Sequence, residues 1–268
     1  MLVCALGDQT LDVVVRLSGP LAAGGDTAAE IHVAPGGQGA NVAAWASFLG
    51  ADARSIGKRG ADEAGRLVRA GLEALEVEVL GPEEGRNGII CSLVSADAAR
   101  SMAADRGSAA GLRPDDVEDA WLDGCDHLFV SGYALLREPA RSAALRTVEL
   151  ARARGAAVSL DLSTWSALRD AGPDEIREVI LGLAPDVVFA NEDEERIVGG
   201  PLPGMTWISK RGAAGASFDG DEREALPVER VVDSTGAGDA LAAGWIVGGP
   251  DLALEAAARC VSRLGSMP

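Results

Sequence analysis

The chain contains 268 residues, 47% of them hydrophobic, and its formal net charge is −17. This size and hydrophobic content suit one large domain, or one domain with a small appendage, and allow a sizeable core. The negative charge disfavours a nucleic-acid partner, because phosphates would be repelled. The sequence has no apolar run long enough to span a membrane, and it begins on a strand-like pattern without a basic leader region. We therefore expect a cytoplasmic protein.

Cysteine and histidine are few and scattered. The four cysteines, at positions 4, 91, 125 and 260, form no C-x-x-C pair, and we expect buried free thiols instead of disulfides or a metal site. The two histidines cannot form an H-E-x-x-H site, and G-x-S-x-G is absent, which disfavours a zinc protease and a serine hydrolase.

Short apolar runs alternate with segments of helical periodicity along the chain. Strands are predicted at residues 2–6, 13–15, 30–33, 88–94, 127–131, 156–162, 186–190, 205–209 and 214–218. Helices are predicted from residue 41 to about 49, over 60–75, from 114, over 138–154, from 173, after 236 and over 252–264. We expect a turn at Ala96-Asp97 and irregular structure over 101–107. The alternation predicts an α/β fold with a mostly parallel sheet covered on both faces, and the strand-rich regions predict a small β appendage.

The C-terminal half contains the glycine-rich stretch Asp233-Ser234-Thr235-Gly236-Ala237-Gly238-Asp239, which opens a predicted helix. Its glycines leave backbone N–H groups accessible where the helix dipole favours an anion. Asp239 adds a carboxylate beside that position, and an anion site next to a base suits transfer of a phosphoryl group to a hydroxyl. The alternative is an ordinary turn with Asp239 as a first-turn acid.

A second glycine-rich stretch, Gly36-Gly37-Gln38-Gly39-Ala40-Asn41, precedes another predicted helix. Asn41 suits either a helix cap, the default interpretation, or a ligand for hydroxyl groups. Asp12 suits a turn or a hydrogen-bond acceptor for a polyol. The chain lacks G-x-x-x-x-G-K-[ST], which excludes a P-loop. Gly236-x-Gly238-x-x-Leu241 lacks the third glycine of the dinucleotide motif and lies far from the first βα turn, so an NAD enzyme is disfavoured.

Together these stretches resemble the paired signatures of the ribokinase-like (PfkB) carbohydrate kinases. Gly7-Asp8 with Asp12, residues 60–66, and Asn191-x-x-Glu194 resemble the same family in chain order, so the resemblance spans nearly the whole chain. It implies one Rossmann-like three-layer α/β/α domain over residues 1–268, with a small β lid from about 12–34 and 87–104.

The resemblance also implies roles for individual residues, with ATP and Mg²⁺ as cofactors and, in some members, K⁺. Asp239 matches the catalytic base, and the anion hole matches Gly236, Ala237 and Gly238. Substrate hydroxyl groups would be contacted by Asp12, Gly37, Gln38 and Asn41. Mg²⁺ and phosphate would be organised through Glu194, Asn191 and water, and the nucleotide site would include Ser209, Lys210 and Gly212. A monovalent cation would be held by the backbone oxygens of Asp233 and Thr235.

Three features depart from ribokinase itself. Gln38 stands where ribokinase has lysine, the segment 197–206 is short for the helix usual there, and the chain ends soon after the last helix. Ser131-Gly132-Tyr133 and Asp105-Arg106-Gly107 resemble a subgroup that phosphorylates pseudouridine. Tyr133 suits stacking on a base or, as the favoured interpretation, a place in the core.

The predicted function is ATP-dependent phosphorylation of a primary alcohol on a sugar or sugar-like substrate. The alternatives are a nucleoside (pseudouridine) kinase and a sugar-binding relic of the fold without catalysis. A homodimer through the lid is expected, because an exposed β appendage leaves sheet edges and an apolar face to cover.

Overall fold

The computed structural model describes residues 1–95, 100–163, 168–170 and 172–268. The strands, in chain order, are β1 (Leu2–Leu6), β2 (Thr10–Leu17), β3 (Ala29–Gly36), β4 (Asp52–Ile56), β5 (Val77–Leu80), β6 (Gly88–Val94), β7 (Arg100–Asp105), β8 (His127–Ser131), β9 (Ala157–Asp161), β10 (Val187–Asn191), β11 (Thr206–Lys210), β12 (Ala216–Phe218) and β13 (Asp221–Arg223). The described α-helices are α1 (Gln38–Phe48), α2 (Glu63–Glu73), α3 (Gly132–Leu135), α4 (Ala140–Ala153), α5 (Pro173–Leu183), α6 (Glu192–Val198) and α7 (Ala237–Val261).

Most strands form one large sheet in the order β13-β12-β11-β10-β9-β8-β1-β4-β5. The pairs from β11 to β5 are parallel, and only the β11–β12 and β12–β13 pairs are antiparallel among the described residues. The predicted α/β fold with a mostly parallel sheet is confirmed. Because parallel strands end at one edge, side chains from distant parts of the sequence meet there.

The hydrophobic core consists of two layers, one on each face of the large sheet. In β1, Cys4 and Leu6 belong to one layer, whereas Val3 and Ala5 belong to the other. Successive strand residues point to opposite faces, so a strand buried on both sides has a continuous apolar sequence and no alternation. Runs such as Val187-Val188-Phe189-Ala190 therefore specify central strands.

The remaining four strands form a small separate sheet in the order β3-β2-β6-β7. The β2–β6 pair is parallel, and the pairs β2–β3 and β6–β7 are antiparallel. Residues 101–107 were predicted to be irregular, and this is wrong for most of them, since β7 runs to Asp105. β7 has low strand propensity because it contains no β-branched or aromatic residue, but pairing with β6 overrides this. The predicted turn at Ala96-Asp97 lies outside the described residues.

One helix prediction needs correction. The helix predicted from Pro114 is instead two short 3₁₀ turns, Pro114–Asp116 and Asp119–Leu122, because Val117 and Glu118 adopt extended backbone between them. The two helices predicted near the C-terminus are confirmed as the two parts of α7, which are separated by non-helical backbone at Gly248 and Gly249, with Pro250 next. A glycine pair before a proline ends the regular backbone there. In the described part of the chain, no helix combines the length and apolar character needed to cross a membrane.

Candidate active site

A cleft of about 400 Å³ lies between the small sheet and the carboxyl edge of the large sheet. Its walls come from β2, β6 and β7 on one side, and from the ends of β10 and β11 and the start of α7 on the other. The predicted site residues that line it are Asp12, Gly37, Gln38, Asn41, Asn191, Glu194, Lys210, Gly212, Thr235, Gly236, Gly238 and Asp239. The structure thus brings the two glycine-rich stretches to one cleft.

The glycine-rich stretch at residues 36–41 is shaped by two nearby aspartates. A Cβ atom at Gly36 would lie 2.0 Å from Cγ of Asp12, and one at Gly37 would lie 2.1 Å from the carbonyl oxygen of Asp8. Gly37 also has a φ of +96°, a conformation that favours glycine. These contacts explain why positions 36 and 37 are glycines. They bring Asp12, in the middle of β2, directly against the loop that begins α1.

Asn41 connects the two glycine stretches. Its Nδ2 donates to Oδ2 of Asp239 at 2.7 Å, and its Oδ1 accepts from Oγ of Ser266 at 3.0 Å. The default interpretation of Asn41 as a helix cap is wrong, because α1 already begins at Gln38 with Gly37 as its N-cap. The amide therefore faces the cleft from within the first turns of the helix.

Asp239 lies in the first turn of α7 and remains partly accessible from the cleft. The pKa of Asp239 is raised from its ordinary 3.8 to about 7, chiefly by burial and in part by the charge of Asp161, against the lowering effect of hydrogen bonds from Asn41 and Gln38 and of the charge of Lys210. A carboxyl group with a pKa near neutrality can accept a proton from a hydroxyl and release it again.

The glycine-rich stretch at residues 233–239 leads into the amino end of α7. Gly236 is the N-cap with a φ of +77°, and a Cβ there would lie 2.6 Å from Cβ of Ser266. The first N–H groups of a helix have no partner within it, and the dipole is positive at this end. This end of α7 is therefore suited to an anion, as the sequence predicts.

Lys210 places a positive charge beside that helix end. A Cβ at Gly238 would lie 3.4 Å from Nζ of Lys210, and this ammonium group donates to Oδ2 of Asp161 at 2.6 Å. Burial opposes the charged form, but the carboxylates of Asp161, Glu194 and Asp239 outweigh it, so the pKa of Lys210 is raised. Lys210 thus stays an ammonium group, positioned by a fully buried carboxylate.

Asn191 and Glu194 form a capping box at the start of α6. The Asn191 side chain accepts from the backbone N–H groups of Asp193 and Glu194, while the Glu194 carboxylate accepts from Asn191 N at 2.8 Å and Nδ2 at 2.7 Å. Burial raises the pKa of Glu194, and the charge of Lys210 lowers it in part. The capping box accounts for the spacing of this pair, and a role toward Mg²⁺ stays a prediction.

The side-chain oxygen of Gln38 is bound by two serine hydroxyl groups. Its Oε1 accepts from Oγ of Ser131 at 2.5 Å and from Oγ of Ser163 at 2.5 Å. With the oxygen so engaged, the amide nitrogen is the group that Gln38 offers to the carboxylate of Asp239. Ser131 ends β8 and Ser163 follows β9, and neither was among the predicted site residues.

A cluster of three further residues was also missed. The Arg106 guanidinium donates through Nε and Nη2 to both carboxylate oxygens of Asp8, each at 2.7 Å, and its Cζ lies 5.5 Å from the centroid of the Tyr133 ring. All three residues line the cleft. The expectation that Tyr133 belongs to the core is therefore wrong. The sequence signals for this cluster were the resemblance of Gly7-Asp8 to the family and that of Asp105-Arg106-Gly107 and Ser131-Gly132-Tyr133 to a subgroup.

A second cavity of about 460 Å³ adjoins the first and is mostly apolar. The two cavities share Lys210, Gly212, Ser234 and Gly238. The apolar walls of the second cavity are Ala225, Leu226, Pro227, Val228, Val231, Ala237, Leu241, Leu254, Ala257, Ala258 and Val261. Ser209, a predicted nucleotide contact, lines neither cavity, because its hydroxyl is buried and donates to Glu195.

The candidate cation residues lie just before α7. Oδ1 of Asp233 accepts from Thr235 N at 2.9 Å and Oγ1 at 2.6 Å, and Oδ2 accepts from Gly265 N at 3.0 Å. The Thr235 carbonyl accepts from Sγ of Cys260 at 3.2 Å. These contacts stabilise the loop, and they leave the predicted cation site a prediction.

The sequence matches the pfkB family of carbohydrate kinases over residues 2–267. It is 30% identical to the ATP-dependent ribose-1-phosphate kinase of Halopiger xanaduensis, over 96% of this chain and 90% of that protein. The fold is similar to a probable sugar kinase from Rhizobium etli (TM-score 0.87, 23% identity, 99% and 94% of the two chains). It is also similar to a putative ribokinase II from E. coli in complex with ATP and Mg²⁺ (TM-score 0.82, 23% identity, 99% and 94%).

The cleft, with an anion site beside an acid of raised pKa, is that of a phosphotransferase. The chain belongs to the pfkB family of carbohydrate kinases. It is an ATP-dependent carbohydrate kinase.

Proposed function

We propose that the enzyme transfers the γ-phosphoryl group of ATP to a primary alcohol of a sugar or sugar-like substrate, with Asp239 as general base. The observation that carries the proposal is the direct hydrogen bond between Asn41 and Asp239, which joins the two glycine-rich stretches in one cleft at 2.7 Å. Asp239 would accept the hydroxyl proton as the new P–O bond forms and the bond between the γ-phosphorus and its bridging oxygen breaks, so that ADP leaves. The proton would then pass from Asp239 to solvent. Such a base contributes roughly 10²- to 10⁴-fold to the rate.

The amino end of α7 and Lys210 are proposed to stabilise the transferring group. Backbone N–H groups of Gly236, Ala237 and Gly238 would donate to its oxygens, and the ammonium of Lys210 lies beside the same loop. Donors fixed in place before the reaction stabilise developing negative charge without reorganisation. This arrangement is expected to contribute more than the base.

The acceptor is proposed to bind on the other side of Asp239. The carboxylate of Asp12, the amides of Gln38 and Asn41 and the backbone of Gly37 line that part of the cleft. Carboxylate and amide groups are the hydrogen-bond partners that polyols require. The small sheet would cover this part as a lid and exclude water, which otherwise competes as the acceptor.

The residues present fit ATP and Mg²⁺. The second cavity has apolar walls suited to a base and opens beside the anion site, and Glu194 supplies a hard carboxylate oxygen at the cleft. When bound, Mg²⁺ neutralises phosphate charge. We propose that Glu194, positioned by Asn191, holds the ion through water. We further propose that Asp233 and Thr235 bind K⁺, and comparing the rate of ADP release in K⁺ and in Na⁺ would test this.

The test is a panel of ribose, fructose and pseudouridine with saturating ATP and Mg²⁺, scored by ADP release. Turnover of a sugar supports the proposal. Sugar binding by calorimetry without ADP formation would support the non-catalytic alternative. Preferred turnover of pseudouridine would support the nucleoside kinase, which is favoured by one observation: Tyr133 lies in the wall of the cleft, where an aromatic ring can contact a base.

A homodimer through the small sheet is part of the proposal. Val33 pairs with Val13 and Ile31 with Val15, so these alternate residues share one face of the sheet. Ile31 is 62% exposed and Val33 is 50% exposed. Burying such a face against a second copy would be favourable. Ile31→Lys should therefore convert a dimer to a monomer in light scattering. Cytoplasmic location stays our prediction.

A further inference from the structure

We propose that the acceptor is uncharged, and that Asp8 determines this specificity by occupying Arg106. The inference deepens the proposed function and rests on it, because it concerns the acceptor half of the same cleft, where the substrate alcohol is proposed to bind. A kinase for sugars that already carry a phosphate or carboxylate group needs a cation free to bind that group. Among the residues that the structure describes, the cation beside the acceptor, Arg106, is engaged by the protein itself.

The contact between Asp8 and Arg106 has the geometry that an anionic substrate would need. Nε and Nη2 of Arg106 each donate to one oxygen of Asp8 at 2.7 Å. This paired arrangement is the one by which guanidinium groups bind carboxylates and phosphates. A phosphate or carboxylate on the acceptor would therefore compete directly with Asp8 for the same two donors.

The backbone of Asp8 packs closely against Gly37. Its carbonyl oxygen lies against Gly37, where even a Cβ atom would approach to 2.1 Å, so the backbone at Asp8 is fixed by close packing. Its side chain is 13% exposed, and that of Arg106 is 26% exposed. Displacing the carboxylate would leave a largely buried charge without its partner, which costs more than an exposed pair would.

Arg106 is fixed from its other side as well. Its Cζ lies 5.5 Å from the centroid of the Tyr133 ring, so the guanidinium is held over an aromatic face. Cation–π contact strengthens when the groups are partly removed from water. The donors of Arg106 are thus directed toward Asp8, and turning them toward a ligand would disrupt both contacts.

The balance of charge around the cleft also opposes an anionic acceptor. Among the described lining residues, the carboxylates are Asp8, Asp12, Glu194 and Asp239, and the cations are Arg106 and Lys210. Lys210 is itself bound to the buried carboxylate of Asp161. The cleft therefore presents oxygen acceptors in excess, which suits donation from neutral hydroxyl groups and repels a second anion.

The experiment compares matched neutral and anionic acceptors: ribose with ribose 1-phosphate, fructose with fructose 1-phosphate, and glucose with gluconate. ADP release gives kcat/KM for the wild type, Asp8→Asn, Arg106→Gln and the double variant. The wild type should favour the neutral member by about tenfold or more, because like charges placed together are strongly unfavourable. Asp8→Asn should shift the ratio toward the anionic member by about tenfold or more, since Arg106 is then released. Arg106→Gln and the double variant should produce no shift toward the anion.

Glu78→Gln is the matched control, since it removes the carboxylate of another arginine pair, with Arg54 at 2.6 Å, outside the cleft. Its ratio should equal that of the wild type. A wild-type preference for the anionic member, or an active Asp8→Asn with an unchanged ratio, would overturn the inference while the kinase function stands. If Asp8→Asn does not fold, the wild-type preference decides alone. Absence of ADP release with every acceptor would instead remove the proposed function and this inference with it.

Discussion

Replacing Asp239 by asparagine should make the protein less active but more stable at alkaline pH. The substitution keeps the shape of the side chain and an oxygen that can accept from Nδ2 of Asn41. It removes the charge that burial disfavours. The same variant therefore tests the role of Asp239 as a base, by activity, and the cost of its buried charge, by stability.

The magnitude for stability follows from the pKa of Asp239. A tenfold change in an acid constant is worth about 1.4 kcal/mol, so raising the pKa from 3.8 to about 7 means that the charged form costs up to about 4 kcal/mol of folding free energy. Because the pKa in the folded state is raised, the contribution of Asp239 to stability is fully present below pH 3.8 and is lost as the pH rises through about 7. Asp239→Asn should therefore gain stability over the wild type progressively across this range and reach a plateau above it.

The assay is urea unfolding of the wild type and Asp239→Asn at several pH values from 4 to 8, with the difference in unfolding free energy plotted against pH. Other titrating groups are common to both proteins, so they cancel in the difference. Asp52→Asn, which removes an exposed carboxylate outside the cleft, is the control and should give a flat difference. A flat difference for Asp239→Asn as well would refute the reasoning about burial.

The activity of the same variant tests the chemical role. We expect kcat to fall by roughly 10²- to 10⁴-fold, with binding of ATP retained. In the wild type, kcat/KM should fall below a pH of about 7, the pKa of Asp239 in the free enzyme, as the carboxylate becomes protonated. Activity of Asp239→Asn close to that of the wild type would exclude Asp239 as the base, whatever the stability data show.

Three further predictions concern the surroundings of Asp239. Lys210→Met should abolish most phosphoryl transfer and lower the free energy of unfolding by about 3 kcal/mol or more, because the buried Asp161 loses its partner. Kinetics and urea unfolding would check both effects, and near-normal turnover would contradict the role of the ammonium group. Ala257→Trp should fill the apolar cavity and raise KM for ATP with little change in KM for the acceptor, and an unchanged KM for ATP would place the nucleotide elsewhere. Gly236→Ala should destabilise the fold by about 1–3 kcal/mol, since it combines a positive φ with a Cβ 2.6 Å from Ser266; a melting temperature equal to that of the wild type would contradict this.

The sequence was sufficient for the fold and for the glycine stretches because both are encoded locally. Buried parallel strands need continuous apolar runs, and a loop that approaches Asp8 and Asp12 closely needs glycine at 36 and 37. The start of α1 was misplaced for a physical reason. Gln38 can begin a helix without a side-chain cap, and Asn41 was then free to serve the cleft instead.

The electrostatic partners of the site could not be predicted in the same way. Arg106 and Asp8 are 98 positions apart, and Lys210 and Asp161 are 49 apart. Neither pair has a local spacing rule, because the sheet topology alone decides which strand ends become neighbours. The edge strand β7, which leads to Arg106, was missed for a related reason, since its pairing partner and not its own composition makes it a strand.

The pairing of these carboxylates also explains why Asp239 is better suited than Asp8 or Asp161 to accept a proton. Asp8 is held by the guanidinium of Arg106, and Asp161 by the ammonium of Lys210. If either took a substrate proton, a largely buried cation would lose its partner, and that loss would oppose the reaction. Asp239 instead accepts from the neutral amide of Asn41, which stays satisfied by a neutral carboxyl group as well as by a carboxylate. Burial therefore raises the pKa of Asp239 to about 7, and the acid beside the amino end of α7 can gain and lose a proton at neutral pH.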